Sequence, residues 1–176
     1  MQTFRHEHVF FAPTLDAIFA SYFDPSCSVA QDKEVDIVER TVSEESTAND
    51  VYHRVCRVVP KRQLPSFIRP LVSGPLHYTE DLHWYKRENR MTFVIRPSLM
   101  SGRAQINADY RLFDAGDAPG GWRTIRRVYE GNLTIDVPLV GGRIEKGIVA
   151  DMETSLKITA ASTQAWINAN YPRGSV

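Results

Sequence analysis

The last third of the chain carries one long helical pattern with a single apolar face. Beyond Gly142 no proline occurs before Pro172, which leaves about 26 residues for one helix of roughly 40 Å at a rise of 1.5 Å per residue. Apolar or small residues recur through it at helical spacing: Ile144, Ile148, Met152, Leu156, Thr159 or Ala160, Thr163, Trp166 and Ile167. We predict a helix from about Gly142 to about Ala169, and a helix of this length needs a wide surface to lie on.

The pattern before this helix predicts strands. The segments rich in β-branched and aromatic residues are 4–11, 35–43, 51–59, 76–87, 91–99, 103–113 and 122–137. In 103–113, apolar and polar residues alternate, so that one face of the strand is dry, as in an antiparallel sheet covered on one side. The polar segments 44–50 and 115–121 are predicted to be turns. We therefore expect about six to seven curved strands, with Ile148, Met152 and Leu156 of the helix buried against them.

Two short helices are expected between the first and second strands. Pro13 ends the first strand because it lacks a backbone N–H, and Thr14 is suited to an N-cap. The residues after it place one apolar stripe on a helix: Leu15, Ile18, Phe19, Tyr22 and Phe23. A second, weaker helical segment spans about 26–33. The predicted order is a strand, one or two helices, a run of strands and a long final helix.

Three segments of this sequence resemble a known superfamily. They are APTLDAIFASYFD at 12–24, LPSFIRPLVSG at 64–74 and VPLVGGRIE at 137–145. The chain resembles the START-like superfamily, also called helix-grip or SRPBCC, and within it an uncharacterised bacterial domain family. Segment 51–71 is also similar to mitochondrial phospholipid-carrying members. The resemblance implies an α+β helix-grip fold, a curved antiparallel sheet wrapped around a C-terminal helix, in one domain over residues 1–176.

The resemblance also implies that a hydrophobic small molecule or lipid binds in a cavity between the sheet and the final helix. Aromatic and apolar residues expected to line it are Phe10, Tyr78, Trp84, Phe93, Ile106, Tyr110, Tyr129, Met152 and Leu156, together with His8. Two alternatives remain open. The protein is an enzyme of cyclase or hydrolase type that uses His8 or a cavity tyrosine as acid or base, or it is an interaction module with a filled core.

The segment 61–74 is amphipathic and contains two prolines. Leu64, Phe67, Ile68 and Leu71 follow helical spacing, and Lys61, Arg62 and Arg69 flank them. Apolar residues rimmed by cations suit a gate over the cavity that contacts an anionic membrane surface transiently. The alternative is a buried plug under the final helix with its cations in water.

The motif His6-x-His8 places both imidazoles on one face of the first strand. A metal site there needs a third ligand from elsewhere, for which the candidates are His53, His77, His83, Glu80 and Asp81. Histidines that are hydrogen-bonded on a cavity wall or lie near the surface are the interpretation we favour, so no metal is expected; a pair that binds a ligand head group is the alternative. Among Arg123, Arg126 and Arg127, one inward-facing guanidinium would suit a phosphate or carboxylate.

Composition excludes several classes of protein. The 21 basic and 21 acidic residues give no net charge, so we expect no nucleic-acid partner. Cys27 and Cys56 form no zinc motif, and neither G-x-G-x-x-G, a P-loop nor G-x-S-x-G occurs, so no cofactor is expected. The first residues, MQTFRHEHVFF, do not match a signal peptide, and no apolar run is long enough to cross a bilayer. We expect a cytoplasmic protein.

Overall fold

The computed structural model describes residues 1–61, 75–98, 102–138 and 141–171. Ten helices and strands organise these residues, besides two short 3₁₀ turns at Lys86–Glu88 and Pro119–Gly121. The strands are β1 (Gln2–Ala12), β2 (Ile37–Ala48), β3 (Val51–Pro60), β4 (Tyr78–Tyr85), β5 (Arg90–Pro97), β6 (Ala104–Ala118) and β7 (Trp122–Ile135). The helices are α1 (Leu15–Phe23), α2 (Pro25–Glu34) and α3 (Gly141–Asn170).

All seven strands belong to one curved antiparallel sheet in the order β1-β7-β6-β5-β4-β3-β2. The long helix α3 packs on β1 and β7, and α1 and α2 pack beside it at one end. The hydrophobic core lies between the concave face of the sheet and these helices. This arrangement confirms the predicted helix-grip architecture, including two helices after the first strand and the bounds of the final helix.

Two polar caps fix the helices that follow β1. The Thr14 hydroxyl accepts a hydrogen bond from the Ala17 amide at 3.3 Å, so it is the N-cap of α1 as predicted. Asp24 ends α1 and begins α2, because one carboxylate oxygen accepts from the amides of Ser26 and Cys27 at 2.9 and 3.0 Å. Pro25 then occupies the first helical position, where no amide hydrogen is needed.

Two predicted turns are shorter in the structure than the sequence indicated. β2 continues through most of the polar segment 44–50, and the turn consists of Asn49 and Asp50, which both have positive φ. β6 likewise continues through a bulge between Asp114 and Asp117, so its turn is confined to Pro119–Gly121. In both places the polar residues are exposed strand residues, and polarity alone does not distinguish these from a loop.

One residue at the β1 edge of the sheet is bonded by a side chain of α3. Gln164 accepts a hydrogen bond from the Phe11 amide at 2.9 Å and donates one to the Phe11 carbonyl at 2.8 Å. The amide group of this glutamine therefore satisfies the outward-facing backbone of Phe11 in β1, as a neighbouring strand would. At the other end of the helix, the buried Glu145 carboxylate accepts from the Ile135 amide at 2.8 Å.

Candidate functional site

The middle of α3 packs less tightly than its ends. Ile144 near the start and Ala160, Thr163 and Ile167 towards the end are buried. Ile148, Met152 and Leu156, which were predicted to be buried against the sheet, are only half-buried. They pack against the core as predicted, but their burial is partial rather than complete. Near Leu156 the sheet presents the polar side chain of Arg127.

Arg127 is the most unusual of these polar residues. Its side chain comes from the concave face of β7 and is 5% exposed. It donates to His8 Nδ1 at 2.8 Å and to the Leu156 carbonyl at 3.3 Å, and its charge lies over the rings of Phe10 and Tyr110, 5.1 and 5.8 Å from their centroids. Its Nε has no partner, and among the described residues no carboxylate forms an ion pair with it. A buried cation with no anion is a costly arrangement.

The two histidines of β1 lie beside this arginine. His6 and His8 are half-buried on the concave face, and His6 Nε2 has no hydrogen-bond partner in the described part of the chain. Burial, reinforced by the Arg127 charge, lowers the pKa of His8 to about 4. His8 is therefore neutral at pH 7. Because its Nδ1 accepts from Arg127, we assign the ring hydrogen to Nε2.

Aromatic rings enclose this group, which we call the Arg127 cluster: His6, His8, Phe10, Tyr110, Arg127 and Tyr129. Of the predicted cavity residues, the structure brings four into it, namely His8, Phe10, Tyr110 and Tyr129. Phe93 is buried next to Tyr129, with ring centroids 5.9 Å apart, and Ile106 is buried on the neighbouring strand β6. Burial raises the pKa of both Tyr110 and Tyr129, so their hydroxyls stay protonated at pH 7.

A second interior arginine, Arg40 on β2, is fully compensated. It makes a two-pronged contact with Asp32 of α2, at 2.9 Å from Nε and 2.8 Å from Nη2, and its Nη1 lies 3.6 Å from Glu80 of β4. Burial opposes the charge, but the bonds to Asp32 and the Glu80 charge raise the pKa of Arg40 above its usual value. The predicted cavity residue Tyr78 lies on β4 near this network, half-buried.

An open cleft of about 690 Å³ lies between the α1–α2 pair and strands β2 to β4. The predicted cavity residue Trp84 lines this cleft, stacked on Phe19 and Phe23 at 4.9 Å, and is thus separate from the Arg127 cluster. Arg54 also lines it, with its charge 5.3 Å from the centroid of Phe23. Neither Arg40 nor Arg54 was singled out from the sequence, because the strand pattern did not distinguish them from exposed arginines.

The histidines proposed as a joint metal set are divided between the two faces of the sheet. His6 and His8 belong to the concave face, whereas His53, Asp81 and His83 lie together on the convex face. The carboxylate of Glu80, on the concave side, is bound by Arg40. The candidate ligands from β3 and β4 therefore lie on the face of the sheet opposite His6 and His8.

Most of the predicted gate lies outside the described residues. Leu64, Phe67, Ile68 and Leu71, with Arg62 and Arg69, are all in the segment 62–74. Lys61 is described: it is exposed at the end of β3, and its amide donates to the Asp36 carbonyl at 2.7 Å. Among the described helices, none combines the length and the apolar character required to cross a membrane.

The described residues form a helix-grip fold, and solved structures agree. A Thermus thermophilus protein is 13% identical and aligns over 97% of this chain and 99% of its own, with a TM-score of 0.64. The Zhui aromatase/cyclase of a Streptomyces species is 9% identical over 99% and 100%, with a TM-score of 0.61. A START superfamily protein of Mycobacterium smegmatis is 10% identical over 95% and 97%, with a TM-score of 0.54.

At these identities the likeness shows the fold alone. Residues 7–167 match the family described as "Protein of unknown function (DUF2505)", and the chain belongs to that family. No curated protein matches it. The predicted helix-grip fold is confirmed, and so is the predicted resemblance to an uncharacterised family.

Proposed function

We propose that the protein binds a hydrophobic small molecule with an anionic group, such as a fatty acid or an acidic lipid, between the concave face and α3. The apolar part would contact Met152, Leu156 and the rings around Tyr129, and the anionic group would bind Arg127. The relatives support a ligand-binding fold of this kind, since its members include an aromatase/cyclase and a START superfamily protein. The observation that carries the proposal is the uncompensated charge of Arg127.

A buried guanidinium without an anion is disfavoured by several kcal/mol, and the two aromatic rings and the His8 acceptor offset only part of this. A carboxylate or phosphate accepts hydrogen bonds from such a planar fork in the geometry it prefers. His8, neutral and donating from Nε2, adds a second donor without adding a charge. In the free protein the Arg127 guanidinium therefore lacks an anionic acceptor, and an acidic ligand would supply one.

The same geometry supports binding better than acid–base catalysis. A general base works best when its pKa is close to the operating pH. The pKa of His8, about 4, leaves it a weak base at pH 7, and its Nδ1 is already engaged by Arg127. Tyr110 and Tyr129, with raised pKa values, are poor acids there. An enzyme of cyclase or hydrolase type is thus the weaker of the two functions.

We further propose that the protein carries a lipid and that it does so in the cytoplasm. We also propose that residues 1–176 form a single domain. Exposed Lys61, with Arg62 and Arg69 of the segment outside the described residues, would supply cations for a transient contact with an anionic membrane. Each cation near such a surface contributes about 1 kcal/mol of attraction. Leu64, Phe67, Ile68 and Leu71 would then form the gate through which the ligand enters.

The test compares oleate with oleyl alcohol, which share a hydrocarbon chain and differ in the head group. A charge-assisted hydrogen bond contributes about 1.5–3 kcal/mol, so we expect oleate to bind at least about tenfold more tightly in titration calorimetry. In Arg127→Met this preference should disappear. Native mass spectrometry of protein from its own host should show a bound acidic amphipath.

Arg126→Met is the matched control, because Arg126 is the next residue of β7, faces the convex side and pairs with Glu7 at 3.3 Å. It should retain the wild-type preference for oleate. Equal binding of oleate by Arg127→Met and the wild type would contradict the role of Arg127. Failure of both probes to bind, together with an empty native mass, would contradict ligand binding itself.

A further inference from the structure

Two imidazoles and a carboxylate meet on the convex face, on the side of the sheet opposite the Arg127 cluster. His53 of β3 lies directly across from His83 of β4, and Asp81 precedes His83 by two residues, so all three side chains share one face. His53 Nε2 lies 2.9 Å, and His83 Nδ1 3.6 Å, from the same Asp81 oxygen. One ligand atom from each residue lies within 4.8 Å of the other two.

We propose that His53, Asp81 and His83 bind a divalent transition metal of the Zn²⁺ type. Ligands about 2.0–2.1 Å from a tetrahedral metal are about 3.3 Å apart, and the two distances from Asp81 lie on either side of that value. Imidazole nitrogens favour zinc, nickel, cobalt and copper, whereas calcium and magnesium require more oxygen ligands than one carboxylate supplies.

The coordination sphere would be completed from solvent. The side chains of His53, Asp81 and His83 are 27%, 25% and 40% exposed, so the group is anchored in the sheet but opens outward. Within the described residues, neither imidazole has a hydrogen-bond partner other than Asp81. Their rings stack with centroids 4.3 Å apart and planes 22° from parallel. To bind one metal, the rings would turn about their side-chain bonds so that both nitrogens point to it.

One neighbour competes for the carboxylate. Arg96 of β5 lies 3.6 Å from the second oxygen of Asp81, and its side chain is 52% exposed. A long ion pair with a half-exposed arginine contributes little, so the guanidinium can move into solvent when a metal binds. The first oxygen of Asp81 faces the histidines and is left for the metal. Strand positions, rather than a loop, fix all three ligands, which favours a preformed site.

The experiment is calorimetric titration of untagged, EDTA-treated protein with ZnCl₂. We expect one ion per chain, and binding should weaken on acidification because protons compete for the imidazole nitrogens. His53→Ala and His83→Ala should each reduce affinity by about 100-fold, and Asp81→Asn, which keeps the shape of the side chain, by about 10-fold. Substitution by Co²⁺ should produce the visible absorption of a tetrahedral site.

His77→Ala is the control, because His77 lies apart from the group, its ring contacting the Pro75 carbonyl at 3.2 Å. It should bind Zn²⁺ as the wild type does, and far-UV circular dichroism verifies that each variant folds. Absence of Zn²⁺ binding by the wild type, or affinity in the His53→Ala/His83→Ala double variant within about twofold of the wild type, would overturn the proposal. Oleate binding by these variants tests the proposed function separately and should not change.

Discussion

Arg40 and Arg127, two of the arginines on the concave side of the sheet, are surrounded in opposite ways. Arg40, towards the β2 edge, is held by Asp32 and approached by Glu80, so its charge is neutralised within the protein. Arg127, towards the β1 edge, has a neutral histidine, a carbonyl and two rings around it. The first arrangement is complete without a ligand, whereas the second lacks an anion. The comparison separates a charge that holds the fold together from one that is available for binding.

The largest effect should come from Arg40→Met. This change leaves the Asp32 and Glu80 carboxylates partly buried without their cation, so we expect the free energy of unfolding to fall by about 3 kcal/mol. Urea titration measures it, and an Asp32→Asn/Arg40→Met double variant should recover part of the loss. A loss below about 1 kcal/mol for Arg40→Met would mean that its ion pairs are as weak as those on the surface.

Arg127→Met should change stability in the other direction. Removing a buried charge that has no anion, and filling its place with an apolar side chain, should leave the free energy of unfolding unchanged or raise it by about 1 kcal/mol. The loss of oleate preference in the same variant would then not be a consequence of misfolding. A loss of about 2 kcal/mol or more, in roughly the range expected for Arg40→Met, would remove the contrast between the two arginines.

The smallest effect concerns His8 and pH. Its folded-state pKa of about 4 lies below the ordinary value of 6.5, so the unfolded chain binds more protons between these values. The stability that neutral His8 contributes is therefore complete above about pH 6.5 and decreases as the pH falls towards 4. Because the ring is partly exposed, we expect the decrease to be less than about 1 kcal/mol.

The difference between the wild type and His8→Gln isolates this effect from the acidic residues, since glutamine also offers Arg127 an acceptor. The wild type should lose stability relative to His8→Gln as the pH falls through this window. Parallel urea-stability curves for the two proteins would show that neither burial nor the charge of Arg127 lowers the pKa of His8 in the folded protein.

Local patterns were enough to predict most of the architecture. The alternation in β6, the cap at Thr14 and the uninterrupted helical stripe each depend on neighbours in sequence, and the structure has all three. The turn at Asn49 and Asp50 was placed too early because the end of β2 is an exposed edge strand, whose residues are polar on both faces. Such residues do not alternate between apolar and polar, so the sequence did not predict that they form a strand.

The site was less predictable because it depends on register between strands. β2 pairs with β3 through irregularities between Ile37 and Glu39 and between Val42 and Glu44, and each extra residue reverses the face on which the following side chains lie. The inward position of Arg40 thus follows from pairing that a single strand does not reveal. The contact of His53 with His83 depends equally on how β3 and β4 align.

The glutamine at position 164 has a consequence for how molecules of this protein behave towards one another. The exposed rim of a sheet is a template on which another chain can add a strand, and this is how many proteins begin to polymerise. The side-chain amide of Gln164 offers one carbonyl oxygen and one NH₂ group to Phe11, so at this one residue it takes the place of a neighbouring strand. At Phe11, an added strand would have to displace Gln164 before it could pair with β1.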